Sequence, residues 1–498
     1  MLGARPARRQ FSAHSAAILS WALTLLLLSS CAQQATTRST QAEILPKPMR
    51  GETNSQLIAE FENKIAEALL SRHQLVQAHE TQQTLFQPQQ TSKITLSQRE
   101  DLDADIEKLS QLLEQLKDVN QTVLNPKNKR AIRMHKHQLA RLKHQLIEKR
   151  LATTDQLGSR YTGLIAYYTA QQKSTRSFLI EAKETIQKNK KEIDKIRREL
   201  GSENLASPLL SDLSHDETLF LSDSPADKHL YLNLISDLIA TASAKFTEVI
   251  APPADAPMEV HASTQNHSGT ARFSYSPAQI SSGNASILRI NLQDMQKLPL
   301  YEAEARSFIF GIPGMHLLYI SSLNNQSNTH TTTTTTTTFT LSDVPAFTLG
   351  WGLYTANLAR EHDLYGSPYG ELGSLMMENR QASILVSDIN LNQKTWTDAQ
   401  AVEFLQKEGF QTLQDARSVV EEAHRSPGAQ TSAFSGFLAF RALRSKSEKR
   451  LGKSFNLFKF HRQILSSGPL PIYLIEEDVE IWLNNISKNT QGQQNSRQ

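Results

Sequence analysis

The sequence predicts a mainly α-helical protein with one small β element, and three observations carry that reading. Apolar residues recur at helical spacing through long stretches in both halves of the chain. Gly and Pro are sparse, 20 and 18 among 498 residues, so helices can run long. Between about 258 and 293 the pattern changes to alternation, in "MEVHAS", "ARFSYSP" and "SILRINL", with turn residues between; this is the mark of two or three short strands. Lys and Arg number 53 against 50 Asp and Glu, a net charge of +3, which gives no reason to expect a nucleic-acid partner.

The elements follow in order. "RPARR" at 5–9 is a basic leader, and 16–28 is a largely apolar run. That run is too short to span a bilayer, which takes about 20 residues, and it ends in the small residues of "LSSC". The pattern over 1–31 is a signal peptide. Its Leu-Ser-Ser-Cys ending resembles the bacterial lipobox, which implies that Cys31 becomes the lipid-modified first residue of the mature chain. The alternative is a secreted protein cleaved near Ser30 with a free thiol. "ARRQF" also resembles a twin-arginine signal, so the export route stays open. Ala32, where an Asp would retain a lipoprotein in the inner membrane, implies a chain anchored in the bacterial cell envelope at the outer membrane, facing the periplasm. Cys31 is the only cysteine, so no disulfide can form within the chain.

Residues 32–56 are polar and carry Pro46 and Pro48; they read as a flexible tether. The stretch 57–178 reads as long helices. Leu102, Ile106, Leu109, Leu113 and Leu116 form one coiled-coil-like seam, and Ile132, His135, Leu139, Leu142 and Leu146 form another. "NPKN" breaks the pattern between them. The first segment is acidic and the second basic, which predicts an antiparallel hairpin; the basic one could alternatively meet anionic lipid. His135 reads as a packed histidine. A charged amphipathic helix over 183–200 closes at Gly201, a further helix over 223–250 is stopped by "APPADAP", and helical pattern resumes from 298 to 483. The eight threonines at 331–338 read as an exposed loop, and 486–498 as a disordered tail.

The standard catalytic patterns are missing. The sequence has no H-E-x-x-H, no G-x-S-x-G and no P-loop, and its one cysteine is in the leader. "SFIFGIPGMHLLYI" at 307–320 offers a lone histidine, His316, beside a Pro-Gly pair. His330, His362, His424 and His461 share no zinc spacing on one helix face with the neighbouring carboxylates.

From 179 to 485 the chain resembles the bacterial family catalogued as domain of unknown function 885 (DUF885). "EIDKIRRELG" resembles the helix before that family's β element. "RINLQDMQKLPLYEAEARSFIFGIPGMHLL" resembles a strand leading to H-E-G-x-P-G-H-H-L-Q. "LGWGLYTANLAREHDLYG" resembles E-G-W-A-L-Y-A-E-x-L, and "QASILVSDINLNQKTW" resembles R-A-x-R-L-V-V-D-T-G-x-H. "SPGAQTSAFSGFLAFRALR" and "LGKSFNLFKFHRQILSSGPLPIYLIEEDVEIWL" resemble the closing blocks. The resemblance implies a helical fold of the zinc-peptidase kind, with His and Glu side chains holding a metal that activates water.

Carried over position by position, that machinery is replaced here. The family's first His and Glu fall on Ile309 and Phe310, its His-His pair on Met315 and His316, and the two Glu of the next block on Leu349 and Ala356. The Arg pair falls on Gln381 and Ile384, the late His on Asn392, and a Tyr on Ala433 or Phe434. The scaffold residues Gly311, Pro313, Gly314, Trp351, Tyr354, Asp388, Gly428, Gly436 and His461 are kept. The expectation is therefore a membrane-anchored pseudoenzyme with no catalytic residue, no metal ligand and no cofactor. It would bind a peptide, a cell-wall fragment or an envelope protein in the former cleft, with His316, Trp351, Tyr354, Asp388 and His461 as candidate contacts. Two alternatives stand beside it: a hydrolase with a displaced site built on His316, Asp388 or His461, and a structural lipoprotein acting through the N-terminal helices.

Overall fold

The computed structural model describes residues 96–117, scattered helical positions between 132 and 147, 157–250 apart from 203, 204, 206 and 207, then 257–263, 272–278, 285–327 and 344–495. The signal peptide and Cys31, the tether and the threonine run lie outside the described residues, as do His135 and Leu142 of the second seam.

The architecture is helical with one small sheet. In chain order the helices are α1 (Leu96–Lys117), α2 (Leu157–Thr169), α3 (Thr175–Glu199), α4 (Leu209–Ser214) and α5 (Pro225–Lys245). Strands β1 (Met258–Ala262), β2 (Phe273–Ser276) and β3 (Ser286–Ile290) follow, where the sequence alternates. Then come α6 (Leu300–Phe310), α7 (Met315–Ser327), α8 (Pro345–Glu361), α9 (Pro368–Asn392) and α10 (Asp398–Gly409). The last are α11 (Leu413–Arg425), α12 (Ser432–Leu451), α13 (Leu457–Ser467) and α14 (Ile472–Asn495). The sheet order is β1-β3-β2, with β1 parallel and β2 antiparallel to β3. Phe273, Leu288 and Ile290 pack its buried face against Tyr231, Ile235 and Ile239 of α5.

Local chemistry sets the helix starts. Ser174 and Ser367 cap α3 and α9 by accepting backbone N–H bonds, and Thr397 and Gln400 form a capping box on α10. Of the two seams, Leu102, Leu109, Ile132, Leu139 and Leu146 are buried. Arg133 of the basic segment pairs with Glu477 and Asp478 of α14, and His137 bonds Tyr473 at 3.1 Å. The basic segment thus docks on the C-terminal helix.

Two boundaries differ from the sequence reading. Residue 179 falls inside α3, because Ser174 starts that helix and no Gly or Pro interrupts it. Tyr161 and Ile165 of α2, upstream of that point, belong to the same core as α8 and α12. At the other end, α14 continues to Asn495, since buried Val479 and Leu483 anchor a helix with no proline to stop it.

The central pair is α8 and α12. Gly350 and Gly436 let them cross with backbones in contact: a Cβ on Gly436 would lie 1.7 Å from the Ala346 carbonyl oxygen. Trp351, Tyr354, Phe347 and Phe440 fill the crossing with fully buried rings. Each such ring contributes roughly 1.5–3 kcal/mol by leaving water.

Candidate functional site

Helix α6 ends at Gly311, whose N–H bonds the Ser307 carbonyl, and α7 begins at Met315 after the Pro313-Gly314 turn. The final turn of α6 therefore presents Ile309 and Phe310 at a helix end. They line a cavity of about 960 Å³. Leu349 and Leu353 of α8, Gln381 and Ile384 of α9, and Ala433 of α12 share that lining. Positions scattered over more than 120 residues of sequence, picked out because the family's chemistry maps onto them, thus meet at one void.

The remaining mapped positions are elsewhere. His316 is buried, with Nδ1 2.9 Å from the Tyr275 hydroxyl of β2, and it packs edge-on to that ring. Met315 and Ala356 are buried and are not part of the lining. Asn392 donates to the carbonyl oxygens of Asp388 at 3.0 Å and Ala423 at 3.2 Å, so it ties the end of α9 to α11. Trp351 donates Nε1–H to the Pro313 carbonyl at 2.9 Å and holds the turn between α6 and α7.

His461 and Tyr354 form a closed pair in the core. His461 Nδ1 meets the Val249 carbonyl at 2.5 Å, so it carries the proton, and Nε2 accepts from the Tyr354 hydroxyl at 2.8 Å. Burial pushes the imidazole down to about 4, and it is neutral at pH 7. Asp388 is also fully buried. Its Oδ1 accepts from the Tyr161 hydroxyl at 2.6 Å, the Gly428 N–H at 2.9 Å and Asn392 Nδ2 at 3.3 Å. Its Oδ2 has no hydrogen-bond partner. Burial pushes the carboxyl up to about 6, against the pull of those three bonds. Trp351, Tyr354, Asp388 and His461 thus hold the scaffold, away from the cavity lining.

The sequence reading passed over the cavity's charged wall. Glu302 and Arg306 sit one turn apart on α6, and Arg380 reaches them from α9. Arg306 donates Nε–H (3.0 Å) and Nη2–H to Glu302 Oε2, and Arg380 donates Nη2–H to Oε1 at 2.8 Å. Burial alone would raise the Glu302 carboxyl, but Arg380 and Arg306 outweigh it and hold it at about 2. Arg306 also lies over the Phe273 ring at 4.9 Å, and Phe273 stacks on Phe310 with centroids 5.3 Å apart. The i,i+4 Glu302–Arg306 spacing was the available signal; nothing local marked Arg380 as its partner.

The fold and the cavity define a mainly helical protein with a void at the positions onto which the resemblance maps metal ligands, lined there by apolar side chains. The chain belongs to the bacterial proteins of unknown function DUF885, whose family model matches residues 14–479. Two solved structures are similar in fold. One is a protein of Colwellia psychrerythraea described as a "putative lipoprotein": TM-score 0.60, 21% identity, covering 79% of this chain and 71% of that one. The other, from Shewanella oneidensis, is described as a "putative lipoprotein of unknown function": TM-score 0.53, 16% identity, covering 76% and 72%. No curated protein matches the chain.

A zinc centre of the kind the resemblance implies needs about three protein donors and an open position. Among the described residues no three His, Cys, Asp or Glu side chains group so as to hold a metal ion. The side chains at the mapped positions in the cavity, Ile309, Phe310 and Leu349, donate no electron pair. These residues do not fit a zinc ion.

Proposed function

We propose that this chain is a lipid-anchored protein of the bacterial cell envelope that binds a ligand in its cavity and catalyses no reaction on it: a pseudoenzyme on a peptidase-like scaffold. The observation that carries this reading is the cavity at the mapped positions. It stays open at about 960 Å³, within the usual size of ligand sites, yet Ile309, Phe310 and Leu349 replace donors and base with apolar surface. A peptide, a cell-wall fragment or the exposed end of an envelope protein would fit such a volume. The displaced hydrolase finds no support, because His316, Asp388 and His461 are each engaged with different partners.

Anchoring through Cys31 is supported by the lipobox-like ending and by the description of both structural neighbours as a "putative lipoprotein". The location we propose is the outer membrane, facing the periplasm, and Ala32 in the position after the lipid-modified cysteine supports it. Among the described residues no helix is long and apolar enough to cross a membrane. Cys31→Ser should move the protein from the membrane fraction to the soluble one; a variant that stays with the membrane would rule out the lipid anchor.

Catalysis is tested by incubating the purified protein with a mixture of short peptides and added zinc, cobalt or manganese, and reading new termini by mass spectrometry. No cleavage above a buffer control is expected. Metal-dependent cleavage at defined bonds would overturn the pseudoenzyme reading.

A further inference from the structure

We infer that the cavity takes a ligand ending in a free carboxylate next to an apolar group, the C-terminal end of a short peptide, with the carboxylate on Arg306 and Arg380. The inference rests on the binding reading above and names its ligand.

Charge is the first ground. One carboxylate, Glu302, serves two guanidinium groups, and it is 1% exposed and held ionised. The triad keeps one surplus positive charge at the cavity wall. Arg306 uses Nε and Nη2 on Glu302, and Arg380 uses only Nη2. Arg306 Nη1 and the Nε and Nη1 of Arg380 therefore remain to donate. Planar guanidinium edges suit a carboxylate, and charge-assisted bonds of this kind are the strong ones. A single surplus charge matches one carboxylate better than a doubly charged phosphate. The lining holds four further charged groups: Lys297 pairs with Asp294 at 3.4 Å, Asp415 acts electrostatically on Arg380, and Arg272 offsets Asp415, so the wall as a whole keeps one positive charge in excess.

Placement is the second ground. Arg306 precedes Ile309 by three residues on α6, and Arg380 precedes Ile384 by four on α9, so each arginine stands one turn from an apolar lining residue. The two helices pack together so closely that a Cβ on Gly373 would strike the Tyr301 carbonyl at 1.9 Å. On α6 the charged turn of Arg306 borders an apolar surface directly: Arg306 lies over Phe273, Phe273 stacks on Phe310, and Ile309 follows in the same lining. Phe273 and Phe310 thus form an apolar floor beside the Arg306 guanidinium. A carboxylate with an apolar side chain attached matches that order.

Calorimetry on the complete folded protein, with acetyl-Ala-Ala-Leu as the free acid and as its C-terminal amide, tests this. The free acid should bind at least about ten-fold more tightly, and Arg380→Gln, which leaves Glu302 paired with Arg306, should reduce the preference to near unity. Equal affinity of acid and amide overturns the carboxylate assignment while leaving the binding reading in place, as does absence of binding by both peptides. That comparison uses the unaltered chain, so it holds even if Arg380→Gln fails to fold. Cleavage of either peptide during the titration would instead sink the pseudoenzyme reading and leave the docking assignment standing.

Discussion

Asp388 and His461 are both kept from the family pattern and both fully buried, yet burial acts on them in opposite directions. Between pH 4 and 6 the unfolded chain has already given up the Asp388 proton while the folded chain holds it, because the folded carboxyl is raised to about 6. The folded state binds more protons, so this group's contribution to stability falls as pH rises through that window. His461 runs the other way: the unfolded imidazole is protonated below about 6.5, whereas the folded one stays neutral down to about 4. Its contribution is complete above pH 6.5 and is lost as pH falls. Each effect is about 3 kcal/mol at most, at 1.36 kcal/mol per pH unit, and the two offset each other. Asp388→Asn keeps an oxygen for Tyr161, Gly428 and Asn392 but does not titrate. Relative to the parent, it should gain up to about 3 kcal/mol between pH 4 and 6 in guanidinium unfolding. A difference that is flat with pH would show that Asp388 does not carry the buried charge described here. At this scale the sequence revealed which residues belong to the scaffold, but not that Asn392 is a structural amide. Its carbonyl partners, on Asp388 and Ala423, depend on the docking of α9 against α11.

Helices were the most legible elements, because periodicity, caps and the alternation at 258–293 are local signals. Their limits were less so. Burial of Val479 and Leu483 carries α14 through residues whose composition reads as a tail. Charge complementarity predicts that the basic segment pairs with the acidic one, and no local signal shows that Arg133 of the basic segment also meets Glu477 and Asp478, a contact separated by more than 300 residues. The crossing of α8 and α12 turns on the absence of a single carbon atom. Gly436→Ala would set a methyl against the Ala346 backbone, which cannot rotate away as a side chain can. Overpacking typically costs 1–3 kcal/mol, so the variant should lose about 2 kcal/mol or more and melt several degrees lower. An unchanged melting temperature would mean that the helices do not meet as closely as described.

The cavity is a property of the whole molecule, and it was the least legible feature. Its lining comes from α4, α6, α8, α9, α10, α11, α12 and β2, so no window of sequence contains it. Position-by-position comparison with the family found its apolar side, since Ile309, Phe310, Leu349, Gln381, Ile384 and Ala433 all reach the lining. It did not find the charged side, because Glu302, Arg306 and Arg380 are ordinary helix residues until α6 and α9 are packed. Apolar contact and a surplus positive charge side by side suit the binding of an amphipathic anion, while among the described residues no grouped donors could hold a catalytic metal. The most direct test of this account is metal content. The protein without its leader, shown to be folded by helical circular dichroism, is dialysed against excess zinc, washed free of loose metal and analysed by mass spectrometry. The account predicts no zinc above that of an unrelated control protein treated in the same way. Close to one tightly held zinc per chain would contradict it and would require a donor set other than the mapped positions.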